Sequence, residues 1–277
     1  MFVVFNMIQP EKGLLKRRRQ KKEISRNGIH IIRSDKCLPF FILDVLDGKN
    51  GVDWKTVAAE CGRYATRVIA PKNLILPDES GLKRFAPASM NSLLIFNTAK
   101  ETIKKAAIPP DKFSITLTDR SAAFTSRISE LLPLSSQIRV VTAYPQRYAA
   151  VCAEAFNEFG ASVMIRSAYE ETSLPDAVIC TDGNVTAAMK NAAVFTVKGK
   201  AGGKLVFWGN GTELLPVHSE ILPDIINPVD FAGALTELCG CGDYKNAVFS
   251  ETDSSCKSCN CSPAEKCFEC FVKSRNA

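Results

Sequence analysis

The sequence predicts an α/β protein built on a mainly parallel sheet with helices on both faces, preceded by a smaller N-terminal α/β portion and followed by a Cys-rich tail. Three observations predict it. Apolar strand-like runs alternate with amphipathic stretches over residues 111–240, the links between them are short, and the amphipathic stretches carry helix start and stop residues. Parallel neighbours need crossovers, and helices supply them while covering the sheet.

The elements follow in order. LPFFILDVL (38–46) reads as a buried strand closed by the turn DGKNG (47–51), and Asp53 is placed to cap a helix bearing Trp54, Val57, Ala58, Cys61, Ala65 and Val68 on one face. RVIAPKNLILP (67–77) reads as strand and turn. A helix is expected over 87–107 and is broken by IPPD at 108–111, where a sub-domain boundary is set. FSITLT (113–118) is the next strand and SAAFTSRISELL (121–132) the next helix. IRVVTA (138–143) leads into a helix over 144–160, with Pro145 in its first turn and Gly160 at its C-terminal stop. Strands at 161–167 and 176–182, a short helix near 184–192, and strands at 193–197 and 204–209 continue the alternation. NPVDFAGALTELCG (227–240) closes the domain, Asn227 capping and Pro228 in the first turn. The expected division is a flexible basic arm over 1–35, a small α/β portion over 36–110, the main domain over 111–240 and the tail over 241–277.

The stretch 111–240 resembles the nicotinamide-cofactor domain of the shikimate dehydrogenase and glutamyl-tRNA reductase families. The resemblance is carried by IRVVTAYPQRYAAVCAEAFNEFGASVMI (138–165) followed by PDAVICTDGN (175–184). It implies a Rossmann-like domain with NAD(P) or another nucleotide-like or anionic small molecule at the strand carboxyl ends. The candidate residues there are Thr118, Asp119, Arg120 and Ser121, then Thr142, then Thr181, Asp182 and Gly183, then Gly209, Asn210 and Gly211. One departure stands out. Where such domains carry G-x-G-x-x-G, this chain reads TDRSAAF (118–124) with no glycine, so side chains fill the space a pyrophosphate needs. Arg147 is placed either to meet a 2′-phosphate or simply to lie exposed in a first helical turn. Thr-Asp and Asp-Gly at strand ends are also ordinary turn residues.

Catalytic signatures are absent: the sequence holds no G-x-S-x-G elbow, P-loop or H-E-x-x-H. His30 and His218 read as surface polar residues. No family catalytic residue carries over, and whether the chain is an enzyme stays undecided from sequence.

Charge and cysteine are both clustered. The chain carries a net charge of +6, and KRRRQKK, running from Lys16 to Lys22, holds six positive charges in seven residues. That run reads as a solvated arm or as a contact to nucleic acid through phosphate neutralisation. Seven of eleven cysteines lie from Cys239 onward. Cys256-x2-Cys259 and Cys267-x2-Cys270 form two C-x-x-C pairs with the chemistry of a tetrathiolate zinc site, Cys261 being a spare thiol. A thiol-rich tail without fixed geometry and an iron–sulfur cluster are the alternatives. Cys37, Cys61, Cys152 and Cys180 read as small core hydrophobes. No apolar run reaches the ~20 residues that span a bilayer, and apolar MFVVFNMI before the basic run is not a secretory signal, so a cytoplasmic protein without membrane contact is expected. Two functions remain in view. One is a binding protein or divergent oxidoreductase relative. The other is a non-catalytic interaction protein using the arm and a zinc-type knuckle.

Overall fold

The computed structural model describes residues 1–34, 37–47, 51–197, 203–256 and 263–276. Its elements are β1 (Val3–Ile8), α1 (Leu14–Asn27), β2 (Ile29–Ser34), β3 (Cys37–Leu46), α2 (Trp54–Cys61), β4 (Val68–Ile69), α3 (Ser89–Ala106), β5 (Ser114–Thr118), β6 (Ile138–Val141), α4 (Ala149–Phe159), β7 (Val163–Arg166), β8 (Asp176–Cys180), β9 (Ala193–Phe195), β10 (Leu205–Thr212), α5 (Pro216–Ser219), α6 (Pro228–Cys239), β11 (Phe249–Cys256) and α7 (Ala264–Asn276). The chain forms two compact units: Met1–Met90 with Glu213–Lys245, and Asn91–Thr212 with Asn246–Ala277.

The smaller unit holds a four-stranded sheet in the order β2-β3-β1-β4. β1 runs parallel to β3 and β4, and β2 pairs antiparallel with β3. Val3, Phe5, Leu43 and Val45 bury one face against Val57 and Cys61 of α2. Phe2, Phe40 and Phe231 of α6 form an aromatic cluster with ring centroids 5.1 to 5.9 Å apart. Asp53 caps α2 by accepting the Thr56 N–H, and Asn227 caps α6 by accepting from Val229 at 2.8 Å.

Two sequence expectations are corrected here. The segment 1–35 is not a bare arm, because its apolar start forms β1, paired with β3 along its length and with β4 at Val3 and Val4, and Val3, Val4 and Phe5 are buried. Only α1 carries the basic run, with Lys16, Arg18, Arg19, Lys21 and Lys22 exposed along a helix. The segment 227–240 belongs to this smaller unit as α6 rather than to the main domain.

The larger unit holds a seven-stranded sheet in the order β11-β10-β9-β8-β5-β6-β7, parallel throughout except for β11, which runs antiparallel to β10. Counted from β5 as the first strand, this is the 3-2-1-4-5-6 order of dinucleotide-binding sheets with a seventh strand on the edge. The unit is Rossmann-like. β5 and β8 are buried along their whole lengths, which is why they read as continuous apolar runs. Gly160 ends α4 in the left-handed region at φ 62° and accommodates it without a Cβ penalty.

Here too the structure departs from expectation. Residues 121–132 form no α-helix; a loop leads into a single 3-10 turn at Thr125–Glu130. The segment 241–277 is not an appendage. Its start to Lys245 falls in the smaller unit, while the rest contributes β11 and α7 to the larger one. Phe268 of α7 packs edge-on against Phe113 at 5.4 Å, and Cys267, Phe271 and Val272 are buried beside it. FSETDSSC is mostly polar, as edge strands commonly are, so its sequence carries no apolar strand signal.

Candidate functional site

β5 and β8 are neighbours at the point where strand order reverses, and each runs into a Thr-Asp pair: Thr118-Asp119 and Thr181-Asp182. Their register is offset by one residue, since Thr118 lies opposite Cys180 rather than Thr181. Side chains alternate along a strand, so the offset sends the two aspartates to opposite faces. Thr118 Oγ and the Cys180 thiol both donate to Asp182 Oδ1, at 3.1 and 3.4 Å. Thr181 Oγ instead donates to the Thr118 carbonyl at 2.6 Å, and its own carbonyl accepts from Ser92 Oγ at 2.7 Å.

Asp119 is 1% exposed. One of its oxygens accepts from the Ala123 N–H at 3.0 Å and Ser121 Oγ at 3.2 Å. The other accepts from the Phe124 N–H at 2.8 Å and the Tyr148 hydroxyl at 2.5 Å. Burial, and then the bond to this carboxylate, push the Tyr148 phenol well above its usual range. Ala122 takes a left-handed φ of 55° as the loop wraps around the carboxylate. The amides that would open a helix here are thus turned onto Asp119, which accounts for the missing α-helix.

Asp182 faces outward with its side chain 15% exposed. Its second oxygen lies 3.4 Å from Arg120 Nε, and the Arg120 side chain is 66% exposed. The Asn184 N–H donates to Asp182 at 3.0 Å across a turn in which Gly183 takes φ 69°. On the other flank Thr142 Oγ accepts the Tyr144 N–H at 3.2 Å. The Arg147 guanidinium lies 5.0 Å from the centre of the Tyr144 ring and reaches the Ser121 carbonyl at 3.3 Å.

The structure therefore brings Thr118, Asp119, Arg120, Ser121, Thr181, Asp182 and Gly183 into one hydrogen-bonded patch, with Thr142 linked through Tyr144 and Arg147. Gly209, Asn210 and Gly211 do not belong to a turn beside it. They lie within β10, where Gly209 and Asn210 pair with Thr252 and Glu251 of β11. A Cβ on Gly209 would sit 2.2 Å from the Phe249 ring, so this glycine exists for packing. Asn210 uses its carbonyl to accept from Ser250 Oγ at 3.0 Å. Two contributors were not legible in the sequence. Tyr148 read only as part of a helical apolar stripe, and Ser92 had no motif around it.

The cysteines divide differently from expectation. Cys259, Cys261 and the Cys256 side chain lie outside the described residues. Cys267 is buried with its sulfur 3.4 Å from Ser254 Oγ, while Cys270, three residues on along α7, is exposed. Among the described residues no group of three or more His, Cys, Asp or Glu side chains is assembled to hold a metal, and zinc is not supported. Burial pushes the Cys180 thiol up to about 12, in keeping with a core role; Cys61 is buried too, whereas Cys37 and Cys152 are half-buried. His218 is not a surface residue. It is buried with Nδ1 2.6 Å from the Tyr244 hydroxyl, and desolvation pushes its pKa down. His30 is exposed and lies 3.2 Å from Asp44. No helix among the described residues is long and apolar enough to cross a membrane.

No family model matches the chain, and no curated protein matches it. Among solved structures it is similar to L-tryptophan dehydrogenase from Nostoc punctiforme, at 13% identity and a TM-score of 0.31, over 99% of this chain and 80% of that one. A likeness of that size adds nothing to the strand order read directly from the sheet.

Proposed function

We propose that the larger unit binds a small polar ligand at the carboxyl ends of β5, β6 and β8, and that it does so without the pyrophosphate mode of dinucleotide-binding sheets. The strand order supports the place, because in open α/β sheets ligands settle where the order reverses. The observation that carries the second half is the Asp119 carboxylate. It sits in the first turn and takes the two backbone amides that a phosphate would need. A dinucleotide entering that turn meets a fixed negative charge instead of free donors.

What remains presented outward is the Arg120 guanidinium with its Asp182 partner, and Arg147. Such a patch suits a small anion or zwitterion, which exchanges with Asp182 for Arg120. Calorimetric titration of the full chain with NADH, NADPH, ATP and a set of small carboxylic and amino acids tests this. The expected result is saturable heat from a carboxylate or amino acid, reduced at least tenfold in affinity by Arg120→Ala, and none from the dinucleotides. Micromolar binding of NADH or NADPH overturns the reading.

A further inference from the structure

The basic run of the smaller unit is folded into α1, and the helix divides its polar side chains into two sets. Arg17, Gln20 and Ile24 recur along one face and are half-buried. Two of them hold the chain that enters the helix. Arg17 Nε donates to the Glu11 carbonyl at 2.8 Å, and Gln20 donates to the Gln9 carbonyl and accepts from the Glu11 N–H, both at 3.0 Å. The rest of the surface carries Lys16, Arg18, Arg19, Lys21 and Lys22, all exposed. Among the described residues Lys16, Arg18 and Arg19 form no ion pair. Glu23 is the one acidic residue of the helix, and none lies in its first turn. Positive charge at the start of a helix opposes the helix dipole, so this placement does not serve the helix itself.

We propose that α1 docks on the phosphate backbone of duplex nucleic acid. Charge density carries the match. Lys16, Arg18, Arg19 and Lys21 fall within about 8 Å of helix axis, or one positive charge per about 2 Å, and a duplex presents one phosphate charge per about 1.7 Å of its own axis. Each contact releases a counterion condensed on the duplex, and that release drives the binding. A duplex is favoured over a single strand because α1 carries no aromatic side chain on which bases could stack. It is favoured over a lipid surface because helices lying in a bilayer interface bury a continuous apolar face. The apolar residues of α1 are Leu14, Leu15 and Ile24 alone; the first two sit together at its start, and Ile24 belongs to the half-buried face.

The test is fluorescence anisotropy of the full chain with a short labelled DNA duplex, repeated from about 50 to 200 mM salt. Four phosphate contacts give log affinity against log salt a slope of about −3.6, a loss of about 150-fold across that range. Arg18→Gln and Arg19→Gln should each make the slope shallower by about one. Replacing Lys104 and Lys105, two exposed lysines of α3, by Gln should leave it unchanged. A duplex RNA measured beside the DNA shares the backbone charge, and a preference for either identifies the source of the phosphates. The idea fails if the slope is shallower than about −2. It fails equally if the α3 variant loses as much as the α1 variants, or if single strands bind more tightly than duplexes. Binding to phosphatidylserine vesicles with none to either duplex would also overturn it. Gln is a good helix former, so the variants keep α1, and the wild-type slope decides even if one does not fold.

Discussion

The turns after β5 and β8 start from the same two residues and end with opposite roles. Thr118-Asp119 closes on itself, its carboxylate saturated by two amides and two hydroxyls; Thr181-Asp182 faces outward, its carboxylate shared with an exposed arginine. Nothing in the dipeptide distinguishes them. The one-residue offset between the strands does, since it assigns the two side chains to opposite faces of the sheet. Register therefore decides whether an aspartate builds a turn or serves a surface.

The difference predicts unequal costs. Asp119→Ala leaves two amides and the Tyr148 hydroxyl unpaired in a buried loop, and the expected loss is about 3 kcal/mol or more. Asp182→Ala removes a partly exposed ion pair and a turn bond and leaves the Thr118 hydroxyl and the Cys180 thiol without their acceptor, and about 1–2 kcal/mol is expected. Urea unfolding of the two variants measures both. Equal losses would break the contrast between a sealed turn and an open one.

A position inside β10 sharpens the point. Gly209→Ala is expected to cost about 1–3 kcal/mol, because the new methyl collides with the Phe249 ring held by the β10–β11 pairing. Ligand heat at the β5–β8 patch should be unchanged in this variant. If Gly209→Ala abolished that heat while leaving stability intact, Gly209 would belong to the patch after all.

Much of the larger unit was legible because its physics is local. Strands buried on both faces must be apolar, so β5, β6 and β8 announced themselves, and Pro145 and Gly160 marked a helix whose ends need those residues. What was hidden depended on distant partners. β1 is an apolar run next to a basic one, and only pairing with β3 and β4 makes it a core strand rather than an arm. β11 is polar because it is an edge. Gly209, Asn210 and Gly211 read as a turn because β11, which straightens them, was itself unread. At the site the candidate residues 118–121 were found from their place after a strand. That Asp119 faces its own loop, with Tyr148 above it, comes from register and from the packing of α4, neither of which leaves a motif.

The smallest expected effect concerns how the closed turn is held to its neighbours. Phe124 stacks on Phe96 of α3 at 4.9 Å, and Arg127, in the 3-10 turn, lies over the same Phe96 ring and donates to Asn97. Glu130 ties this cluster together, accepting from Arg127 at 2.6 Å and Lys100 at 2.7 Å. The Arg127 bond first, and Lys100 with it, hold the Glu130 carboxyl down at about 2 despite its partial burial. A carboxyl with a lowered folded pKa stabilises the fold above its ordinary range and loses that contribution as pH falls. The contribution should therefore be complete above about pH 5 and fade toward pH 2. The group is partly exposed, so solvent screening limits the effect to about 1 kcal/mol. Glu130→Gln should flatten the stability profile across that window, so that the difference from the wild type is greatest at neutral pH, at about 1 kcal/mol, and closes toward pH 2. An unchanged acid slope in the variant would place the acid sensitivity of this region in another carboxylate, and the turn's link to α3 would then rest on the aromatic stack and the Arg127–Asn97 bond.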